Sequence, residues 1–163
     1  MSVRFSDQDI DRMVQEVKLL QPDYRKRIRL REKRGHKEQE LVVTGVHGTE
    51  YRLILRQSLS NELDFSIILA TVPHGTNVLF RLRRYNGRSH EHTNTLEGIT
   101  FYEFHVHHAS ERYQDLGARE DSFAEPTDRF GTMNEAVQCM LKECSFAFPE
   151  GSSGEPFEES VLC

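Results

Sequence analysis

Residues 49–84, TEYRLILRQSLSNELDFSIILATVPHGTNVLFRLRR, decide the fold class. Tyr51, Leu53 and Leu55 alternate with Arg52, Ile54 and Arg56, the period-two pattern of a strand with one buried face. LDFSIILATV, at 63–72, is more uniformly apolar and reads as a central strand. After Pro73–Gly75, Val78, Phe80 and Leu82 alternate with Leu79, Arg81 and Arg83. The connections between these runs are short, and short connections favour antiparallel pairing.

Working outward, ELVVTG precedes the first of these strands, and RKRIRLRE precedes that. In RKRIRLRE, Ile28 and Leu30 fall on one face and Arg27, Arg29 and Arg31 on the other. Ser6 with Asp9 forms a capping box, and Ile10, Met13, Val14 and Val17 recur at helical spacing. A helix is expected over 7–19, ended by Pro22. On the far side, 85–98 reads as a loop, and TFYEFHVHH, at 100–108, as the last clear strand. Residues 109–131 look irregular. Thr132 with Glu135 is a second capping box, and Val137, Met140, Leu141 and Cys144 make the stripe of a helix over 133–144. The sum is an α+β fold: a mostly antiparallel curved sheet or small open barrel with an N-terminal and a C-terminal helix. One domain is expected over 1–148, followed by a disordered acidic tail over 149–163 (Ser, Gly and Glu).

The net charge of −5 hides an uneven distribution. Residues 25–37 hold Arg25, Lys26, Arg27, Arg29, Arg31, Lys33, Arg34 and Lys37 against Glu32 alone. That run reads as a solvated strand face or a track for a phosphate backbone. No apolar run approaches the ~18 residues of a membrane span. MSVRFSDQDIDRM lacks the apolar stretch of a signal peptide. Cysteines 139, 144 and 163 make no disulfide framework. A soluble protein of the reducing cytoplasm, not associated with membranes, is expected. Gly-rich phosphate loops, serine nucleophile elbows and Cys-x-x-Cys pairs do not occur in the sequence.

The chemistry concentrates in histidine. Five of the eight histidines fall within nineteen residues: His90, His92, His105, His107 and His108. They include two His-x-His pairs, one in the loop SHEHTN and one in the strand FHVHH. Alternation sends Tyr102, Phe104, Val106 and His108 toward the core, and Glu103, His105 and His107 toward solvent or a cleft. Two imidazoles ~6.5–7 Å apart along a strand suit two chemistries. The first is acid–base cleavage of a phosphodiester, with His105 and His107 as the pair and His90 and His92 as further participants. Arg81, Arg83, Arg84 and Arg88 upstream, with Arg112 and Tyr113 downstream, are the candidate phosphate contacts. Arg25, Arg27, Arg29 and Arg31 extend that nucleic-acid-binding set. Such an enzyme, a metal-independent ribonuclease, needs no cofactor. The second chemistry is metal binding: His90, His92, His105 and His107 holding zinc or another divalent transition metal, with Glu91 or Glu103 as a carboxylate. A histidine on an exposed strand face is also often plain polar surface. Tyr24, Tyr85 and Tyr113 are candidate base-stacking residues or packing residues.

The segments RLRRYNGRSHEHTN, TFYEFHVHH and DRFGTMNEAVQCMLKECSF resemble a group of small prokaryotic toxin–antitoxin and defence-associated proteins that includes the TumE-type toxins. The resemblance rests on Arg84-Tyr85-Asn86, then His90 and His92, then the helix from Thr132 to Phe146. It covers residues 78–146 well and the rest loosely, where the N-terminal helix followed by strands is similar to an uncharacterised relative of that group. The long N-terminal half, FHVHH and SERYQ depart from that pattern. The resemblance implies a setting of defence or conflict, with RNA or a nucleoprotein as target and a cognate antitoxin or other protein as partner. A non-enzymatic module that blocks a nucleic-acid or CRISPR-type machine is the alternative. The oligomeric state is not legible in the sequence.

Overall fold

The computed structural model describes residues 3–149. Apart from Pro149, the proposed acidic tail lies outside the described residues. In chain order the elements are α1 (Asp7–Gln15), β1 (Lys18–Leu19), α2 (Tyr24–Arg27), β2 (Arg31–Lys33), β3 (His36–Thr44), β4 (Glu50–Ser58), β5 (Phe65–Thr71), β6 (Phe80–Asn86), β7 (His92–Asn94), β8 (Ile99–Phe101), β9 (His105–His108), α3 (Glu111–Asp115), β10 (Phe123–Pro126), α4 (Met133–Glu143) and β11 (Phe146–Ala147). The main sheet is seven-stranded and antiparallel, in the order β10-β9-β6-β5-β4-β3-β2. It is not closed, and the α+β class with an N-terminal and a C-terminal helix stands. Among the described residues, no helix is long and apolar enough to cross a membrane.

Alternation sorts the sheet into two faces. Leu41, Val43, Tyr51, Leu53, Leu55, Phe65, Ile67, Leu69 and Tyr85 pack with Ile10, Met13 and Val14 of α1 and with Ala136, Val137, Met140 and Leu141 of α4. The other face carries Arg56, Ser66, Asn86 and His105 in one cross-strand row, and Ile54, Ile68, Arg84 and His107 in the next. The hairpin β7–β8 folds over the β9 end of that second face.

A β-bulge lies between β5 and β6, where Leu69 pairs with Arg83 but Ala70 with Arg81. The extra residue, Leu82, is fully buried. The bulge shifts the phase of β6. Arg83 therefore comes to the helix side, beside Tyr85 and Cys144, while Arg84 takes the opposite face. The simple alternation expected for 77–84 breaks there.

The N-terminal helix ends at Gln15, four residues short of the expected 19. The reason is Lys18. Its side chain is fully buried, and its ammonium donates to the carbonyls of Met13, Val14 and Glu16 and to that of Cys144, at 2.8–3.0 Å. Met13 and Val14 belong to the last turn of α1, and Cys144 caps α4. One cation thus satisfies carbonyls that two helix ends leave orphaned. The backbone of Lys18–Leu19 then pairs in parallel with Phe146–Ala147. Glu16 turns inward beside it, accepting from the Tyr51 hydroxyl at 2.5 Å and from the His47 N–H at 2.7 Å. Gly45 is required by that carboxylate, because a Cβ there would come within 2.2 Å of Glu16 Oε2.

Other boundaries also move. The expected strand RKRIRLRE, at 25–32, is a helical turn, α2, followed by the short edge strand β2. Ile28 and Leu30 are still buried, but Arg25 and Arg27 do not share a strand face with Arg29 and Arg31. The run 100–108 is two strands, β8 and β9, broken at 102–104. Tyr102 is exposed rather than in the core. The stretch read as a loop contains the end of β6 and β7, and the irregular stretch contains α3 and β10.

Replacing Lys18 by methionine keeps the stem and removes the ammonium. Four buried carbonyls then lose their donor, and urea unfolding should show a loss of roughly 3 kcal/mol or more. A loss below about 1 kcal/mol would show that the ammonium does not hold the two helix ends.

Candidate functional site

Four histidines meet between the second face of the sheet and the β7–β8 hairpin. The ring centres of His105 and His107 are 4.9 Å apart, those of His92 and His107 4.8 Å, those of His92 and His105 5.5 Å, and those of His90 and His105 5.9 Å. The loop pair folds back beside the strand pair, as a common site requires. Phe101 walls the cluster, 5.5 Å from both His92 and His105.

The environment differs from the sequence expectation. Alternation sends His105 and His107 toward solvent or a cleft. They are instead 0 % and 3 % exposed, because the hairpin covers them. His108, expected in the core, is half-buried near Phe123 and Glu125.

Hydrogen bonds set the tautomers. His105 Nδ1 lies 2.7 Å from the Glu103 carbonyl, and His107 Nδ1 lies 2.7 Å from the Asp121 carbonyl. A carbonyl only accepts, so Nδ1 carries the proton in both rings. Each Nε2 is left with a lone pair, buried and without a hydrogen-bond partner. His92 is held the other way round: its Nε2 lies 2.9 Å from the amide oxygen of Asn94, which leaves the Nδ1 lone pair. His90 is exposed, its Nδ1 3.1 Å from Ser89 Oγ.

Electrostatics agree with the neutral forms. Burial pulls His105 down to about 4, with His92, His90 and Arg84 adding to the shift and the Glu103 carbonyl opposing it. Burial, then Arg84, His105 and His92, pull His107 down to about 2 against the Asp121 carbonyl.

Two residues that pattern reading did not single out hold this arrangement. Asn94 is buried, and its amide donates to the Ala124 carbonyl at 2.7 Å and accepts from the Ala124 N–H at 2.9 Å, docking the hairpin on β10. Asp121 is fully buried, with Arg84 Nε at 3.0 Å and Arg119 Nε at 2.8 Å from its carboxylate. Asn94 follows His92 at period two, which was a usable signal. Nothing in the sequence marks Asp121, because its carbonyl rather than its side chain orients His107.

The arginines do not gather into one phosphate-binding set. Arg81 pairs with Glu120, Arg84 with Asp121, Arg112 with Glu97 and Arg27 with Asp23. Arg83 lies on the helix side, away from Arg84. Arg88 stacks over Tyr102, 5.7 Å from its ring centre, and Arg25 lies against Tyr24. Arg29 and Arg31 are exposed, on the far side of the sheet from β9. Tyr24, Tyr85 and Tyr113 are 2 %, 0 % and 1 % exposed, so none offers a ring face to a base. Tyr85 donates to Glu143, and Tyr113 donates to Glu97. Among the described residues, no three His, Cys, Asp or Glu side chains already stand close enough together to hold an ion.

No family model matches the chain, no curated protein matches its sequence, and no solved structure matches its fold.

A pH titration of the metal-free protein follows from the two buried rings. Above pH ~6.5 neither the folded nor the unfolded chain protonates them. Below it the unfolded chain takes up protons that the folded one refuses, so stability falls as pH drops through 6 toward 4. The loss should be on the order of 1 kcal/mol per pH unit for each ring. Nitrogen-15 spectra should show both rings as neutral Nδ1–H tautomers at pH 6. A protonated ring there would contradict the assignment.

Proposed function

We propose that this chain is a metal-binding protein whose histidine cluster takes zinc or another borderline divalent transition ion. One observation carries the reading: His105 and His107 each spend Nδ1–H on a backbone carbonyl and keep a buried, unpartnered Nε2 lone pair, with the His92 ring centre 4.8–5.5 Å from theirs. Ligand histidines in metal sites give their other N–H to a carbonyl or amide in this way. Asn94 does the same for His92. Three imidazole nitrogens at ~2.0–2.1 Å from a tetrahedral ion place their ring centres ~5 Å apart. The three spacings here are 4.8, 4.9 and 5.5 Å. A rotation of the half-exposed His92 ring closes the third ligand, and exposed His90 takes the fourth position. Bound in this way, the ion would clamp the β7–β8 hairpin to β9.

Acid–base cleavage of RNA draws less from the same geometry. It needs an imidazole that is protonated near neutrality and open to substrate. His105 and His107 are buried and held neutral.

Protein purified without a histidine tag should carry, or take up, about one equivalent of Zn²⁺. At 100 times the dissociation constant the ion should add about 2.7 kcal/mol of stability. Cobalt substitution should give the visible bands of a tetrahedral nitrogen site. His105→Ala and His107→Ala should each abolish uptake, while His108→Ala keeps it. If neither variant alters uptake, or if Zn²⁺ leaves unfolding unchanged, the lone pairs bind water and the reading fails.

A further inference from the structure

Away from the four-histidine cluster, the second face of the sheet ends in a cleft of about 370 Å³ lined by Arg34, His36, Arg56, Ser58, Asp64 and Ser66. That volume suits a small ligand. Its charge is set by which ion pairs form around it. Glu38 stands directly across from Arg56 on the neighbouring strand and is the carboxylate placed to neutralise it. Instead Glu38 binds Lys33 at 2.5 Å and the His36 ring at 3.0 Å. Further along β4, Arg52 takes two carboxylates, Glu40 at 3.2 Å and Glu50 at 2.8 Å. Arg56 and Arg34 have no carboxylate within ion-pair distance among the described residues. The acid in the cleft, Asp64, accepts from Ser89 Oγ at 3.3 Å. Two uncommitted guanidinium groups therefore face one carboxylate, and His36 is tied to Glu38 and to the Arg34 carbonyl.

We propose that this cleft is an anion subsite that takes a phosphate group, either inorganic phosphate or the terminal phosphate of a small phosphomonoester. Guanidinium forks match phosphate oxygens in geometry as well as charge. The cleft opens on the row Arg56–Ser66–Asn86, where Ser66 Oγ donates to Asn86 Oδ1 at 2.9 Å. The organic part of a phosphomonoester would lie along this polar strip. The site does not depend on a metal at the histidines.

The test is an amide NMR titration of the full chain, stripped of metal, with inorganic phosphate and separately with adenosine monophosphate, at matched ionic strength in chloride. Saturable shifts confined to residues around Arg34, Arg56, Ser58 and Ser66 are expected. Arg56→Gln should weaken binding at least about tenfold, and Arg31→Gln should leave it intact. Tighter binding of the nucleotide assigns a phosphomonoester, and equal binding assigns free phosphate. Shifts that do not saturate, or that survive Arg56→Gln, overturn the proposal. Because the protein carries no metal, a negative result here leaves the histidine site untouched, and the reverse also holds.

Discussion

The buried ammonium of Lys18 is the constraint from which the layout follows. An isolated charge in a core is costly, and it is tolerated only when hydrogen bonds surround it. Here four carbonyls do so, from the end of α1, the turn after it and the C-cap of α4. Tyr51 adds a ring face, 4.6 Å from the ammonium to the ring centre. Burial still draws the group down to about 8, so it remains mostly protonated at neutral pH. Two helices whose ends share one cation must lie on the same side of the sheet. Both apolar stripes are then used on one face, and the other face is left to polar side chains and a small hairpin. The histidine cluster lies on that second face.

Much of this was legible where one rule acted alone. Tyr51, Leu53 and Leu55 face the core as alternation requires, and Ser6 and Thr132 cap their helices as their spacing requires. The sequence failed where a tertiary contact overrode a local pattern. Val17 continues the helical stripe, yet α1 stops before it because Lys18 turns back on the helix end. Leu82 and Arg83 follow period two until one extra residue in β6 changes the phase. RKRIRLRE alternates like a strand, but half of it is a helical turn that buries Tyr24 and Ile28 by another route. Edge strands are also hard to read. β2 is three charged residues and β10 ends in Pro126, features that discourage further pairing and equally disguise a strand.

The histidine cluster shows the same division. Its membership was readable, because two His-x-His pairs on adjacent segments can meet only if the loop folds back, and it does. Its chemistry was not readable, because that depends on cover. An imidazole on an open strand titrates near neutrality and can move protons. The same imidazole under a hairpin, with one nitrogen committed to a carbonyl, stays neutral and offers only a lone pair. Asn94 makes that change by standing in for a backbone unit at the edge of β10.

The arginines follow a parallel logic. A sequence displays charge but not pairing, and pairing decides what a charge can do. Arg81, Arg84 and Arg112 looked like a phosphate-binding set beside the histidines, yet each is spent on a carboxylate supplied from between 97 and 121. Arg81 and Arg84 tie β6 to the segment that leads into β10, and Arg112 ties α3 to the turn of the β7–β8 hairpin. Arg56 had no such prominence in the sequence. It stands out only because Glu38, its cross-strand neighbour, turns to Lys33 and His36. Uncommitted charge on the second face therefore lies at the β3–β4 end, and unpartnered lone pairs lie at the β9 end. About three strand spacings, roughly 14 Å, separate Arg56 from His105 along the row, so charge at one end and lone pairs at the other stay apart on one sheet face.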